Sequence, residues 1–296
     1  MAAHTRPWLR VLLIAAVFAA LTGAYVRGQQ FGVTPAPLTV LKVAADLYVI
    51  NNEIAPGNAT ALVTEQGVLL VDDKFAVDHD TMLAALKTVT TQPIRYVVNT
   101  HYHADHTGGN AKLLHMNIPI VASEQARRNM SGPPDGLFID SQPGFPTITI
   151  RERATIHLGG KVAELYHFGR GHTDGDVIVH LPGHRTVVIG DLFTFGDATP
   201  QLIDYAGGGS AKAWTRTLDE ALRLEFDTVI PGHGGIARRE DLRAFRNRTL
   251  ALSNRVREMV VQKRSRGEIS RLLETEFGWF PFLLDRGLDG LIGEHQ

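Results

Sequence analysis

Three imidazoles and one carboxylate stand within six consecutive residues, His101-Tyr102-His103-Ala104-Asp105-His106, directly after the apolar run Ile94 to Asn99. Imidazole nitrogen suits zinc and other borderline divalent cations, and a carboxylate beside it can serve a second ion. A loop at a strand end can turn alternate side chains toward two centres about 3.5 to 4 Å apart, the spacing of two-metal hydrolytic sites. Surface histidines are common singly, whereas a block this dense points to metal. Three more candidates fall at strand ends: His172 in Gly171-His172-Thr173, Asp191 in Ile189-Gly190-Asp191 and His233 in Pro231-Gly232-His233-Gly234. Each alone reads as a turn or capping residue. Their agreement in context raises all three.

Rival chemistries lack their parts. The chain has no cysteine, which excludes disulfides, thiolate metal sites and a cysteine nucleophile. It has no Gly-x-Ser-x-Gly elbow and no His-Glu-x-x-His pair. Lys and Arg number 30 against 31 Asp and Glu, so there is no basic excess to hold a phosphate backbone, and nucleic acid is not an expected partner.

The candidate ligands need a scaffold that brings residues 101 to 233 together. The 296 residues are 44% hydrophobic and 21% charged, a globular composition that excludes a disordered, collagenous or coiled-coil chain. From Leu38 to Ile50 and from Ala59 to Val71, β-branched runs are broken by Asn51-Asn52, Gly57-Asn58 and Gln66-Gly67, which reads as antiparallel strands. Val77, Met82, Leu83, Leu86 and Val89 keep helical spacing within Ala76 to Thr90, ahead of Pro93. Ile94 to Asn99 is then the strand that delivers the chain into the histidine block. Short helices at Asn110 to His115 and Ser123 to Met130 flank a strand at Ile118 to Ala122. The second half carries strands at Ala154 to Leu158, Val162 to His167, Asp176 to Leu181, Thr186 to Ile189 and Thr228 to Ile230. Helices are expected at Ala211 to Leu224, Arg239 to Lys263 and Glu268 to Glu276. Two strand-rich halves, each followed by helices, predict an α/β (α+β) fold of two face-to-face sheets with helices outside. No linker interrupts the middle, so 38–296 reads as one domain.

Arg6 and Arg10 flank the start of an apolar run from Val11 to Leu21, and Thr22 and Ala24 are small residues in the relation a signal peptidase prefers. Residues 1–24 therefore read as a signal peptide, with an uncleaved N-terminal anchor as the alternative. Residues 25–37, with Pro35 and Pro37, read as a linker. A cut after Ala24 leaves a mildly acidic domain, periplasmic or secreted, without stable membrane association.

The pattern His-x-His-x-Asp-His, followed by separate His, Asp and His, resembles the metallo-β-lactamase superfamily from about Leu38 to His233, and this sequence matches it at every position. The resemblance implies an αββα sandwich and a metal-dependent hydrolase holding two zinc ions, with iron or manganese also compatible. It implies His101, His103 and His172 as ligands of the first ion, Asp105, His106 and His233 as ligands of the second, and Asp191 as the bridging carboxylate. A hydroxide generated between the ions would attack the carbonyl, with Asp105 as the catalytic residue that orients it and passes its proton to the leaving group. True lactamases of the superfamily usually carry cysteine or serine where Asp191 stands. The resemblance therefore favours a branch acting on small esters, thioesters, lactones or related carbonyl substrates. Flavodi-iron relatives carry a carboxylate at the position of His103. β-Lactam hydrolysis, a mononuclear iron sulfur dioxygenase, and a non-catalytic periplasmic metal-binding or redox-relay protein stand as the other readings. Glutathione thioesters, mainly cytosolic, fit an exported protein poorly.

Two segments frame the expected site. Ser131 to Thr147, with Pro133, Pro134, Pro143 and Pro146, is a loop whose Leu137, Phe138, Ile139 and Phe145 either cover a hydrophobic group or lie on the surface. Phe193 to Trp214 carries Phe195, Tyr205 and the triplet Gly207-Gly208-Gly209. Tyr205 either donates to substrate or packs, and the triplet, without a P-loop lysine, reads as a turn into the next helix. Arg170 faces either an anionic substrate or a surface acid. His79, His115, His157, His167, His180 and His184 read as ordinary core or surface residues.

Overall fold

The stretch 39–71 alternates short apolar segments with turns, and each segment pairs antiparallel with the next: β1 (Thr39–Lys42), β2 (Leu47–Asn51), β3 (Ala59–Thr64) and β4 (Gly67–Val71). Helix α1 (His79–Lys87), entered through a 3₁₀ turn at Ala76–Asp78, then carries the chain back so that β5 (Ile94–Val98) lies parallel to β4. Two short helices, α2 (Ala104–Thr107) and α3 (Asn110–His115), lead to β6 (Ile120–Ser123), and α4 (Glu124–Asn129) precedes β7 (Ile148–Ile150). These seven strands form one sheet in sequence order, parallel from β4 onward. The structure, a computed structural model, describes residues 34–52, 55–134, 138–196 and 201–296. The expected signal peptide, most of the 25–37 linker and Leu137 of the proline-rich loop lie outside the described residues.

The second sheet holds β8 (Arg153–Leu158), β9 (Lys161–Tyr166), β10 (Ile178–Leu181), β11 (Thr186–Phe195), β12 (Thr228–Gly234) and β13 (Ala237–Arg238), in the order β13-β12-β11-β10-β9-β8. Only β11 and β12 are parallel, and α5 (Ala211–Ala221) lies in their crossover. Helices α6 (Arg239–Val261), α7 (Arg266–Phe277) and α8 (Pro281–Gly293) follow. Among the described residues no helix is long and apolar enough to cross a membrane.

Alternation along each strand decides which layer a side chain joins. Leu47, Val49, Leu69 and Val98 of the first sheet meet Leu165, Val179, Val188 and Ile230 of the second in one buried layer. The other face of the first sheet, including Ile50, Leu70, Val97 and Ile120, packs with Met82 and Leu86 of α1 and Leu113 of α3. The other face of the second sheet, including Ile178, Val187 and Val229, packs with Trp214 and Leu218 of α5 and Leu242 and Val256 of α6. The result is a helix-sheet-sheet-helix sandwich, the αββα architecture expected from the sequence.

Several elements differ from the sequence reading: β7 and β13 are additional strands, and β12 runs past Ile230 to Gly234. Strand β11 runs on to Phe195, well past the expected end at Ile189, so Asp191 lies inside a strand. Helix α8 was not foreseen at all. Its Gly287 and Gly290 depress helix propensity, yet a side chain at 290 would collide with the Tyr205 ring, so packing demands the glycine that hides the helix.

Trp214 is fully buried and its Nε1 donates to the Leu192 carbonyl at 3.0 Å. Replacing it with alanine removes both the packing and the bond, and should cost about 3–5 kcal/mol. Urea unfolding of the metal-stripped protein measures this as a lowered midpoint with the slope preserved.

Candidate metal centre

The histidine block begins where β5 leaves its ladder. Asn99 N donates to Val121 O (2.9 Å), Thr100 N to Asp72 Oδ1 (2.7 Å) and Val177 N to Thr100 O (2.6 Å), so strand ends from both sheets fix the entry. The block is not a plain loop, because Ala104–Thr107 closes one helical turn with Gly108 N on Ala104 O at 2.9 Å. Asp191 is presented by a break in the β11 register around Gly190, whose φ of +55° is left-handed. A side chain at Gly190 would run into Thr100, so only glycine allows this close crossing. His233 lies in β12, whereas His172 lies in the bend between β9 and β10 rather than at a strand end.

All seven candidates come together, in two groups. Nitrogen and oxygen atoms of His101, His103, His172 and Asp191 lie within 4.8 Å of one another, as do those of Asp105, His106 and His233. The Asp191 carboxylate reaches both: Oδ1 is 3.2 Å from His106 Nε2, and Oδ2 is 3.3 Å from His233 Nε2 and 3.6 Å from His172 Nε2. His233 Nε2 is also 3.3 Å from Asp105 Oδ2, and His103 Nδ1 is 3.1 Å from His172 Nε2. His101, His103, His106 and His172 are buried, while side chains of Asp105, Asp191 and His233 keep 14%, 11% and 12% exposure. The open side of the centre is therefore the side of these three.

Acceptors outside the centre fix which nitrogen of each buried imidazole faces inward. His106 Nδ1 donates to Asp72 Oδ2 (2.8 Å), His103 Nε2 to Asp204 Oδ2 (3.0 Å) and His172 Nδ1 to the Leu202 carbonyl (2.9 Å). Thr100 Oγ1 spends its one hydrogen on Asp72 Oδ2 (2.8 Å), so at 3.1 Å it accepts from His101 Nδ1. In each ring, when neutral, the other nitrogen carries a lone pair aimed into the centre, the outer-shell arrangement of metal-binding histidines. Asp72, Thr100, Asp204 and Tyr102, whose hydroxyl donates to Asp204 Oδ2 at 2.5 Å, were not singled out from sequence. Asp72 at least carries the same signal as the candidates that were, a polar residue at the end of an apolar strand.

Charge within the centre follows from burial and proximity. Burial pushes His101 and His103 below the usual histidine range, helped at His101 by neighbouring His106 and His103. Burial opposes charge at His106 and His233 too. At His106 the carboxylates of Asp105, Asp191 and Asp72 prevail and raise it well above its ordinary value, and at His233 Asp191 and Asp105 lift it to about 10. Against burial, His106 and His233 in turn hold Asp105 down at about 2 and Asp191 well below the carboxylate range.

The secondary candidates resolve into structural parts. The Tyr205 hydroxyl donates to Glu294 Oε2 at 2.9 Å, and Arg170 donates to the carbonyls of Gly208 (2.6 Å) and Gly209 (2.9 Å), so it braces the glycine turn. Phe138 lays its ring against His103, centroids 4.5 Å apart, whereas Phe145 is partly exposed beside Arg127. His167, His180 and His184 bond to Asp176 O, Glu164 and Asp46, away from the centre.

A family model described as the metallo-β-lactamase superfamily matches residues 54–233. The chain belongs to that superfamily. It is similar to a metallo-β-lactamase type 2 of Bacillus cereus, 23% identical over 207 residues that cover 67% of this chain and 74% of that protein. It is also similar to a hydroxyacylglutathione hydrolase of Crocosphaera subtropica, 31% identical over 114 residues covering 38% of this chain and 37% of that one. Among solved structures, a metallo-β-lactamase from Pontibacter korlensis superposes with a TM-score of 0.63 at 22% identity, over 72% of this chain and 99% of that one. The protein is a metal-dependent hydrolase of this superfamily.

Its candidate ligands fit a pair of divalent cations. His101 Nε2 is buried without a hydrogen-bond partner, and such an atom costs about 1–3 kcal/mol unless a cation or proton satisfies it. Without metal, protons on His106 and His233 supply the positive charge that Asp105 and Asp191 demand. A cation displaces them, so uptake at neutral pH should expel about two protons, and affinity should weaken as pH falls below the raised histidine values. Zinc titration of chelator-stripped protein in weak buffer with a pH indicator reads the release directly; uptake without release contradicts the electrostatics.

Proposed function

We propose that this chain is an exported di-zinc hydrolase that cleaves a small ester, thioester, lactone or related carbonyl substrate. The observation that carries the proposal is Asp191, one carboxylate shared between two groups of inward-facing donors. His101, His103 and His172 would hold the first ion and Asp105, His106 and His233 the second, with Asp191 between them. A donor set of nitrogen and oxygen without thiolate suits zinc, and also accommodates iron or manganese. A bound pair would supply Lewis acidity toward a carbonyl oxygen and toward water.

The chain's own residues supply the rest. Asp105 is anionic at neutral pH and partly exposed on the open side, so its free oxygen can accept a hydrogen from an attacking water, orient it, and later hand a proton to the leaving group. Asp191 and His233 border the same opening, while Phe138 covers His103 and keeps water from that flank. Export rests on the sequence of residues 1–24, and 38–296 would then be the mature hydrolase domain.

β-Lactam hydrolysis is the second reading, favoured by the likeness to the Bacillus cereus lactamase and opposed by Asp191, where lactamases of the superfamily usually carry cysteine or serine. Elemental analysis of purified protein should find two zinc per chain. Zinc-loaded enzyme should turn over members of a lactone, ester and thioester panel with higher kcat/KM than nitrocefin, and chelator-stripped enzyme should turn over none. Asp105→Asn should lower kcat about 10²- to 10⁴-fold, with the circular dichroism spectrum unchanged. Full activity in stripped protein sinks the proposal, and a preference for nitrocefin moves it to the second reading.

A further inference from the structure

The first group of donors does not stand on the sheets alone. His101 and His106 are braced through Thr100 and Asp72, which follows β4, but His103 and His172 have their outer nitrogens on one short segment, at Asp204 Oδ2 and the Leu202 carbonyl. That segment is folded tightly: Asp204 N donates to His172 O (2.9 Å), Gly209 N to Asp204 O (2.7 Å) and Gly207 N to Asp204 Oδ1 (3.1 Å). Its position thus sets where two of the three first-group imidazoles point.

What fastens the segment on its other side is the end of the C-terminal helix. Glu294, one residue past α8, accepts from the Tyr205 hydroxyl (2.9 Å) and from Ala211 N (3.0 Å) through Oε2, and from the Ser210 hydroxyl through Oε1. The Lys212 ammonium reaches the Glu294 carbonyl, and the Tyr205 ring packs on Gly290. One carboxylate therefore ties the residue after Asp204 to the start of α5, where its charge also suits the helix N-terminus. Arg170 and Asn129 brace the glycine turn at 207–209, and Gln201 Nε2 donates to Thr249 Oγ1 of α6 on the other side of Leu202.

Resting on the two-metal reading above, we propose that Glu294 is a positioning residue for the first metal site, acting through Tyr205 and Asp204 on His103 and His172. Glu294→Gln keeps the size of the side chain but removes its charge and turns an amide donor toward groups that are themselves donors. The loop loses this one anchor while the ligands remain.

Chelator competition on zinc-loaded full-length protein resolves two zinc constants, and His103→Ala identifies the one belonging to the first site. Glu294→Gln should weaken that constant roughly 3- to 30-fold, the range for residues that act through a packed neighbour, and leave the other unchanged. Asp204→Asn, one step closer, should weaken it about 10- to 100-fold. Asp289→Asn serves as the control, because Asp289 lies in α8 and the change breaks only its exposed pair with Arg266 of α7, without touching the loop, and should leave both constants alone. Without any variant, zinc should also raise the amide-exchange protection of Tyr205–Ser210 and of α8. Wild-type protein that binds two zinc ions with equal constants in Glu294→Gln overturns the proposal alone, as does an Asp289→Asn effect of the same size. Wild-type protein that takes up no zinc overturns the two-metal reading as well.

Discussion

Buried imidazoles converge on a point only if each is prevented from turning round, and in this protein that constraint is met by acceptors that cannot donate. Asp72, Asp204, the Leu202 carbonyl and a threonine hydroxyl already committed to Asp72 each take the outer N–H of one ring. The rings then have one tautomer available when neutral, with a lone pair directed inward. Inward nitrogens crowded beside the carboxylates of Asp105 and Asp191 make an arrangement that demands positive charge, from protons on His106 and His233 or from a cation. Everything else in the fold can be read as holding those acceptors and rings in register.

The sandwich does this by bringing chain ends of both sheets to one place. Thr100 leaves β5 in the first sheet and is gripped by Asp72 beyond β4 and by Val177, just before β10 in the second. Gly190 in β11 crosses so close to Thr100 that the backbone must take a left-handed turn, and that turn lifts Asp191 out of the ladder toward the rings. The same threonine therefore fixes His101, anchors to Asp72 and sets how near β11 can come. Placement of the shared carboxylate is a consequence of sheet packing, not of a flexible loop finding its ligand.

How much of this could be read from the sequence depended on how local the signal was. The block 101–106 is contiguous, and its four polar groups after an apolar run announce themselves; His172, Asp191 and His233 each look like a turn alone, stand out only by their shared context, and took ligand roles only from the family pattern. The sandwich was legible because alternation and turn residues are local too. Asp204 was not, since a lone aspartate in a glycine-rich stretch carries no sign that it meets a histidine 101 residues earlier. Helix α8 failed for a related reason: its interior glycines argue against a helix locally, and only the Tyr205 ring lying on Gly290 explains them. The extension of β11 past Gly190 was missed because left-handed glycine normally marks a strand's end.

An aspartate at position 191 does something that a cysteine in its place would not. A thiolate offers one donor atom. A carboxylate offers two on a rigid frame, and here Oδ1 faces His106 while Oδ2 faces His172 and His233. Oδ2 thereby touches a member of each donor group, and Oδ1 adds a contact to His106 of the second. Because His101, His103, His106 and His172 are buried and Asp105, Asp191 and His233 are partly exposed, a substrate must approach along the carboxylate side. On the proposed reading, an electrophilic carbon entering there would meet Asp105, the group proposed to orient water, before any imidazole of the first group, because the buried candidate ligands stand behind it.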